Sequence, residues 1–329
     1  MDQMEQNIAE LSQDDGWAQW LARLNAVFDE QSASDRPVSL YILADSRANS
    51  NVEEMLAEVP DMQVTSLWDG LAVESFRDIA PYLIRVSKDD LENENGARQQ
   101  LVKRLWNEAK DLHMLTWFWS PITADVITAH LKHYCVYTLP NRQGFYLHFY
   151  DNRVLERVRK VWSVAEQKQF VSPFSAIWYR DRELKNVVWA NADALAHVAS
   201  EGSQSLTDQQ HVQLLDLGYP DKVALQLKAL YGDIVAQLPQ HELYRGVVEQ
   251  LERAARYGIE GDDELLNYVS KGIVLSPRFD EHPAVNERLI RAAQGEITAR
   301  DALTGVDKEV WGQVAQMPAL TSAVQSRIE

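Results

Sequence analysis

Trp17, Trp20, Leu21, Leu24 and Phe28 recur at helical spacing near the start of the chain, with Asp14 or Asp15 ahead of them as an N-cap. The pattern predicts an amphipathic helix over 15–30 that carries two tryptophans. A polar connector, QSASDRP at 31–37, separates it from VSLYILAD, a short apolar run rich in β-formers that reads as a buried strand. Helix and strand then alternate. A helix near NVEEMLAEV, strands near QVTSLW and PYLIRVS, and a helix over GARQQLVKRLWNEAKDL follow, the last with Leu101, Leu105, Ala109 and Leu112 on one face. MLTWFWS is an aromatic strand. SPITADVITAHLKHY begins with Ser120, has Pro121 near the first helical position, and offers Val126, Ile127 and Leu131 to a core. CVYTL and GFYLHFY pair as a hairpin across the turn PNRQG. Asp151 caps a helix that buries Val154, Leu155, Val158 and Trp162, and SAIWYR and NVVWAN add two short strands about the turn DRELK.

After about residue 193 the strand signals stop. Six helix-like segments follow, from TDQQHVQLLDLG to DKEVWGQVAQM, with Gly218, Gly258 and Gly295 placed as C′ glycines. GSQS at 202–205 reads as a flexible linker. The expected fold is therefore α+β: a mixed α/β lobe with a small sheet flanked by helices, then an all-α helical lobe. The segments are an N-terminal amphipathic helical segment at 1–36, expected to pack on the main lobe with a contact arm as the alternative, the mixed lobe at 37–192 and the helical lobe at 193–329.

Composition narrows the function classes. With 46% hydrophobic and 25% charged residues, the chain is of ordinary globular type. Its 49 acids against 32 Lys and Arg give a net charge of −17, which repels nucleic acid and anionic membranes. The single cysteine, Cys135, excludes an intramolecular disulfide framework. The N-terminal residues lack a basic stretch followed by an apolar one, and no apolar run approaches membrane-spanning length, so a cytoplasmic setting without membrane insertion is expected. The charge is uneven along the chain. Residues 1–36 carry a net of −6, residues 37–200 a net of −3, and residues 201–329 a net of −8. Solvated helix faces account for such acidic ends, and so does a surface that meets a basic partner and weakens as salt rises.

Signatures of catalysis are missing. The sequence contains no phosphate-cradling glycine loop, no G-x-S-x-G nucleophile elbow and no H-E-x-x-H zinc helix. Cys135 lies in an apolar strand, where a thiol packs rather than reacts. His130 and His133, three apart on a helix, share a face and open the reading of a metal-dependent hydrolase; no third ligand is evident, His113 or His148 approaching only through the fold, and ordinary structural histidines are the better reading.

Five ordered elements carry a family resemblance. YILAD ends on Asp45; Leu67, Trp68, Asp69 and Gly70 form a Leu-aromatic-Asp-Gly turn; Ala80, Pro81, Tyr82 and Leu83 follow. Ser120 and Pro121 lead to His130, Leu131 and Lys132, and then come Phe149, Tyr150, Asp151, Arg153 and Val154. Across 41–183 the chain resembles the effector adaptor, or effector chaperone, family of bacterial type VI secretion, the Tap or Tec proteins. It departs from that pattern at Ala80, Lys132, His148 and Asn152, where the family has Gly, Arg, Arg and Pro. Residues 255–283 look like the helical tail of these adaptors. The resemblance implies a non-enzymatic, cofactor-free protein that binds a toxic effector and loads it onto the VgrG spike, sometimes with a PAAR tip protein. An immunity-like scaffold that blocks a toxin is a further reading.

Overall fold

The computed structural model describes residues 16–32, 38–191 and 203–318. The proposed cap at Asp14 or Asp15, most of the 31–37 connector and the segment 192–202 lie outside the described residues. The chain forms two compact units, one up to Leu215 and one from Asp216 onward. That division falls inside a helix, later in the chain than residue 193, where the strand signals stop.

In the first unit the elements run α1 Trp17–Ser32, β1 Ser39–Asp45, α2 Val52–Ala57, β2 Val64–Ser66, β3 Pro81–Val86, α3 Lys88–Glu92, α4 Ala97–Glu108, β4 Leu115–Ser120, α5 Ala124–His133, β5 Val136–Thr138, β6 Gly144–Tyr146, α6 Asn152–Val161, α7 Val164–Val171, β7 Ala176–Arg180, β8 Asn186–Ala190 and β9 Gln204–Ser205. Six strands form one antiparallel sheet in the order β2-β3-β1-β4-β7-β8. Residues 40–45 of β1 and all six residues of β4 are buried. Both faces of the sheet are covered, which is why these strands read as continuous apolar runs instead of alternating.

Opposed residues in the register share a face. Leu40 lies opposite Trp119, Ile42 opposite Trp117, and Trp117 opposite Trp178. Helix α1 covers this face: the Trp20 ring sits 5.3 Å from Trp117 and 5.8 Å from Trp178, and Phe28 sits 4.9 Å from Trp119. The two-tryptophan helix is thus packed on the sheet. The other face presents Tyr41 and Phe118, whose partners are the Ile122 carbonyl, bonded by the Tyr41 hydroxyl at 2.5 Å, and the Phe174 ring at 4.6 Å.

Several local expectations need correction. Ser120 does not start a helix. It pairs with Ser39 as the last residue of β4, and its hydroxyl donates to the Pro173 carbonyl at 2.5 Å, so α5 begins only at Ala124 after Thr123. On α5, Val126 is exposed while Ile127 and Leu131 are buried; on α6, Val154 is only half-buried. The return strand of the hairpin stops at Tyr146. GSQS is not simply a linker, because Gln204 and Ser205 pair in parallel with Tyr137 and Thr138 and complete a second sheet, β6-β5-β9.

Helix α8, Asp208–Leu230, runs through Gly218 and Pro220. Gly218 therefore ends nothing: Val223 and Leu227, one turn apart beyond it, are fully buried and extend the helix. From Asp216 the second unit continues with α9 Gly232–Val235, α10 Gln240–Ala255, α11 Asp262–Val274, α12 Pro283–Ala293, α13 Ala299–Thr304 and α14 Lys308–Val314. Gly258 and Gly295 do take left-handed conformations, with φ of 68° and 77°. Each closes a helix: Ile259 N–H reaches the Ala254 carbonyl, and Glu296 N–H the Arg291 carbonyl. The core of this unit forms around Tyr268, Phe279 and Leu289, and around Val223, Leu243 and Val269. Among the described residues no helix is long and apolar enough to cross a membrane.

Candidate functional site

Strand β1 ends on Asp45, opposite Pro81 at the start of β3. Two residues later Arg47 folds back on that carboxylate: its backbone N–H and Nε donate to Oδ1 at 3.1 and 3.0 Å, and Nη2 to Oδ2 at 2.8 Å. The same device recurs at the start of α6. There the backbone N–H and Nε of Arg153 donate to Asp151 Oδ1 at 3.0 and 2.9 Å, and Nη2 to Oδ2 at 2.7 Å. Asp151 is thereby both the helix cap and one half of a planar, two-point ion pair.

Tyr150 joins the two clamps. The Arg47 guanidinium stacks over its ring at 4.8 Å, Trp68 approaches edge-on at 6.4 Å, and its hydroxyl is hydrogen-bonded to His148 Nδ1 at 2.6 Å. The turn that carries Trp68 is fixed beside them. Leu67 N–H donates to the Pro81 carbonyl at 2.9 Å, Ser46 Oγ to the Ala80 carbonyl at 2.6 Å, and Lys132 Nζ to the Asp69 carbonyl at 2.6 Å. Gly70 completes the turn at a φ of 79°, a conformation that glycine adopts without steric cost. Tyr82 donates its hydroxyl to the Arg77 carbonyl at 2.8 Å.

Burial sets the protonation states. It lowers His148 to about 4, with the Arg47 cation acting in the same direction and Asp151 against it. It raises the Tyr150 phenol well above its ordinary value, and raises Tyr82 to about 12 with help from Glu53. Burial also opposes ionisation of Asp151, but hydrogen bonds and charge from Arg153 outweigh it and hold the carboxyl below its ordinary value. For Arg47, desolvation is likewise outweighed by Asp45. His148, Tyr150 and Asp151 each keep one protonation state around neutral pH.

Not every singled-out residue comes here. Asp45, Trp68, Asp69, Gly70, Pro81, Tyr82, Tyr150, Asp151 and Arg153 gather at this end of the sheet. Ser120 and Pro121 lie at the opposite end, because antiparallel pairing sets Ser120 against Ser39 at the beginning of β1. Leu131 and Phe149 are core residues. His130 is fully buried among Tyr134, Phe170 and Phe174; its Nε2 is bonded to the Phe170 carbonyl at 2.9 Å, and burial, only partly opposed by that bond, lowers it to about 4. Among the described residues no three or more His, Cys, Asp or Glu side chains are placed to hold a metal. Burial raises the Cys135 thiol to about 12.

Sequence reasoning passed over Arg47. The available signal was the repeated Asp-x-Arg spacing, Asp45-Ser46-Arg47 and Asp151-Asn152-Arg153, which lets a guanidinium close on the carboxylate two residues before it.

Residues 40–169 match the family model described as a domain of unknown function, DUF4123. The match begins in β1 and ends in α7, so it contains both Asp-x-Arg clamps, the Trp68 turn and Lys132. No curated protein and no solved structure matches the chain.

Proposed function

We propose that this protein is a non-enzymatic adaptor of type VI secretion that binds a toxic effector in the cytoplasm and loads it onto the VgrG spike, with a PAAR tip protein as a further partner. The observation that carries this reading is the meeting of Asp45, the Trp68–Gly70 turn, Pro81, Tyr82, Lys132 and Tyr150–Arg153 at one end of the sheet, inside the segment that matches the domain model. Residues far apart in sequence are there held by ring contacts and a hydrogen bond to a backbone carbonyl rather than aligned as nucleophile, base and oxyanion donor, which supports a surface for contact. The test is native affinity capture with the full chain as bait, from cells that express the toxin and the spike protein encoded beside its gene. Recovery of either one is the expected result. Recovery of neither, with both confirmed to be expressed, refutes the reading.

A further inference from the structure

Between Asp69 and Ala80 the chain leaves the sheet as a loop anchored at both ends. The Lys132 and Leu67 bonds hold its beginning, the Ser46 bond holds its end, and the Tyr82 hydroxyl grips the Arg77 carbonyl within it. Inside the loop, Gly70 N–H donates to the Glu74 carboxylate at 2.9 Å. Such a loop presents its side chains without a large ordering cost on association.

What it presents is apolar. Phe76 is 53% exposed and Ile79 37% exposed. Phe76 precedes and Ile79 ends a single 3-10 turn, Arg77–Ile79, and the Ile79 N–H donates to the Phe76 carbonyl at 3.4 Å. The two exposed apolar residues are thereby held within one turn of each other. Four carboxylates belong to the same stretch or pair with it: Asp78 lies in the turn, Glu74 two residues before Phe76, and Glu53 and Asp69 beside Arg77. Two cations stand among them: Arg77, shared between Glu53 at 3.3 Å and Asp69 at 3.6 Å, and Lys132, bonded to the Asp69 carbonyl at 2.6 Å, against four carboxylates. The rim is therefore net negative.

We propose that the 69–80 loop is a docking surface for a protein segment that presents an apolar side chain flanked by Lys or Arg. The proposal rests on the adaptor reading, which supplies the candidates: the toxin and the spike protein encoded beside the gene. Phe76 and Ile79 provide the apolar contact, and the carboxylate rim selects a basic flank and repels an acidic one. The motif cluster gains a role from this: the Trp68 turn, Lys132 and Tyr82 hold the loop in the shape that the partner meets.

The experiment titrates each purified candidate against the full chain and two variants, Phe76→Ser and Asp78→Lys. Both substitutions fall on exposed side chains, and circular dichroism melts check that each variant folds as the wild type does. Phe76→Ser is expected to weaken the complex about tenfold or more. Asp78→Lys is expected to weaken it and to reduce its salt dependence. Wild-type affinity in both variants, or tighter binding by Asp78→Lys, overturns the docking surface and leaves the adaptor reading standing. Failure of the wild type to bind either candidate removes the adaptor reading and this one with it.

Discussion

The guanidinium of Arg47 stacks over the ring of Tyr150, its central carbon 4.8 Å from the ring centre. One contact thus ties the end of β1 to the start of α6, and the carboxylate of Asp45 fixes the cation that makes it. The Asp45 side chain is 3% exposed and that of Arg47 27%. Asp45→Asn keeps the shape but removes the countercharge, and should cost about 3 kcal/mol in denaturant unfolding, the lower end for a broken buried pair because Arg47 retains some water. Tyr150→Phe keeps the ring and loses the hydroxyl, with its bonds to His148 and Trp68, so about 1–2 kcal/mol is expected. Equal losses from the two variants would contradict this account.

His148 and His130 both titrate near 4 in the folded protein, below the ordinary histidine value of 6.5. The unfolded chain therefore binds more protons than the folded one between about pH 6.5 and 4, and stability rises with pH across that window. It is fully present above pH 6.5 and is lost as pH falls toward 4. Melting temperatures taken at steps from pH 7.5 to 4 should drop through this range. Replacing either histidine with Gln should flatten its share of the drop, and an unchanged profile in both variants would exclude these groups as the cause.

Trp20 fills the space between α1 and the tryptophans of β4 and β7. Trp20→Ala should destabilise the protein by about 3–5 kcal/mol. A fluorescence-monitored urea titration measures it; an unaltered midpoint would mean that α1 leaves the sheet in solution.

In the helical unit the Asp280 carboxylate gathers Arg253, the Tyr268 hydroxyl at 2.7 Å and the Tyr257 hydroxyl at 3.3 Å. Asp280 is 2% exposed and Arg253 11%. Asp280→Asn should cost about 3 kcal/mol, the lower end for a broken buried pair, because the buried guanidinium keeps only the more exposed Glu281 carboxylate at 2.9 Å. Calorimetry should show that transition lowered, while Asp262→Asn, at an exposed pair with Lys222, leaves it close to the wild type.

Much of this architecture is legible in the residue pattern. MLTWFWS and VSLYILAD are strands because short runs of large apolar residues, buried on both sides, leave little else to form. Gly258 and Gly295 end helices because each is the residue that accepts a left-handed turn at no steric cost. The reading fails where a local signal meets a stronger distant one. Ser120 and Pro121 look like a helix start, yet the pairing with β1 holds Ser120 in the sheet. Gly218 looks like a helix end, yet the apolar positions beyond it carry the helix on. Gln204 and Ser205 look like linker, yet the edge of β5 offers them unpaired backbone groups.

The sequence by itself determined the α+β lobe, the helical lobe, the acidic charge and the order of the motif elements, since each depends on composition or on neighbours a few residues apart. Only the tertiary structure decided which of those elements meet. The antiparallel register sends Asp45 and Ser120 to opposite ends of one sheet, while the fold of β6 into α6 returns Tyr150 and Asp151 to the end where Arg47 waits. Contacts of that kind arise from strand pairing between distant segments, and no local spacing encodes them.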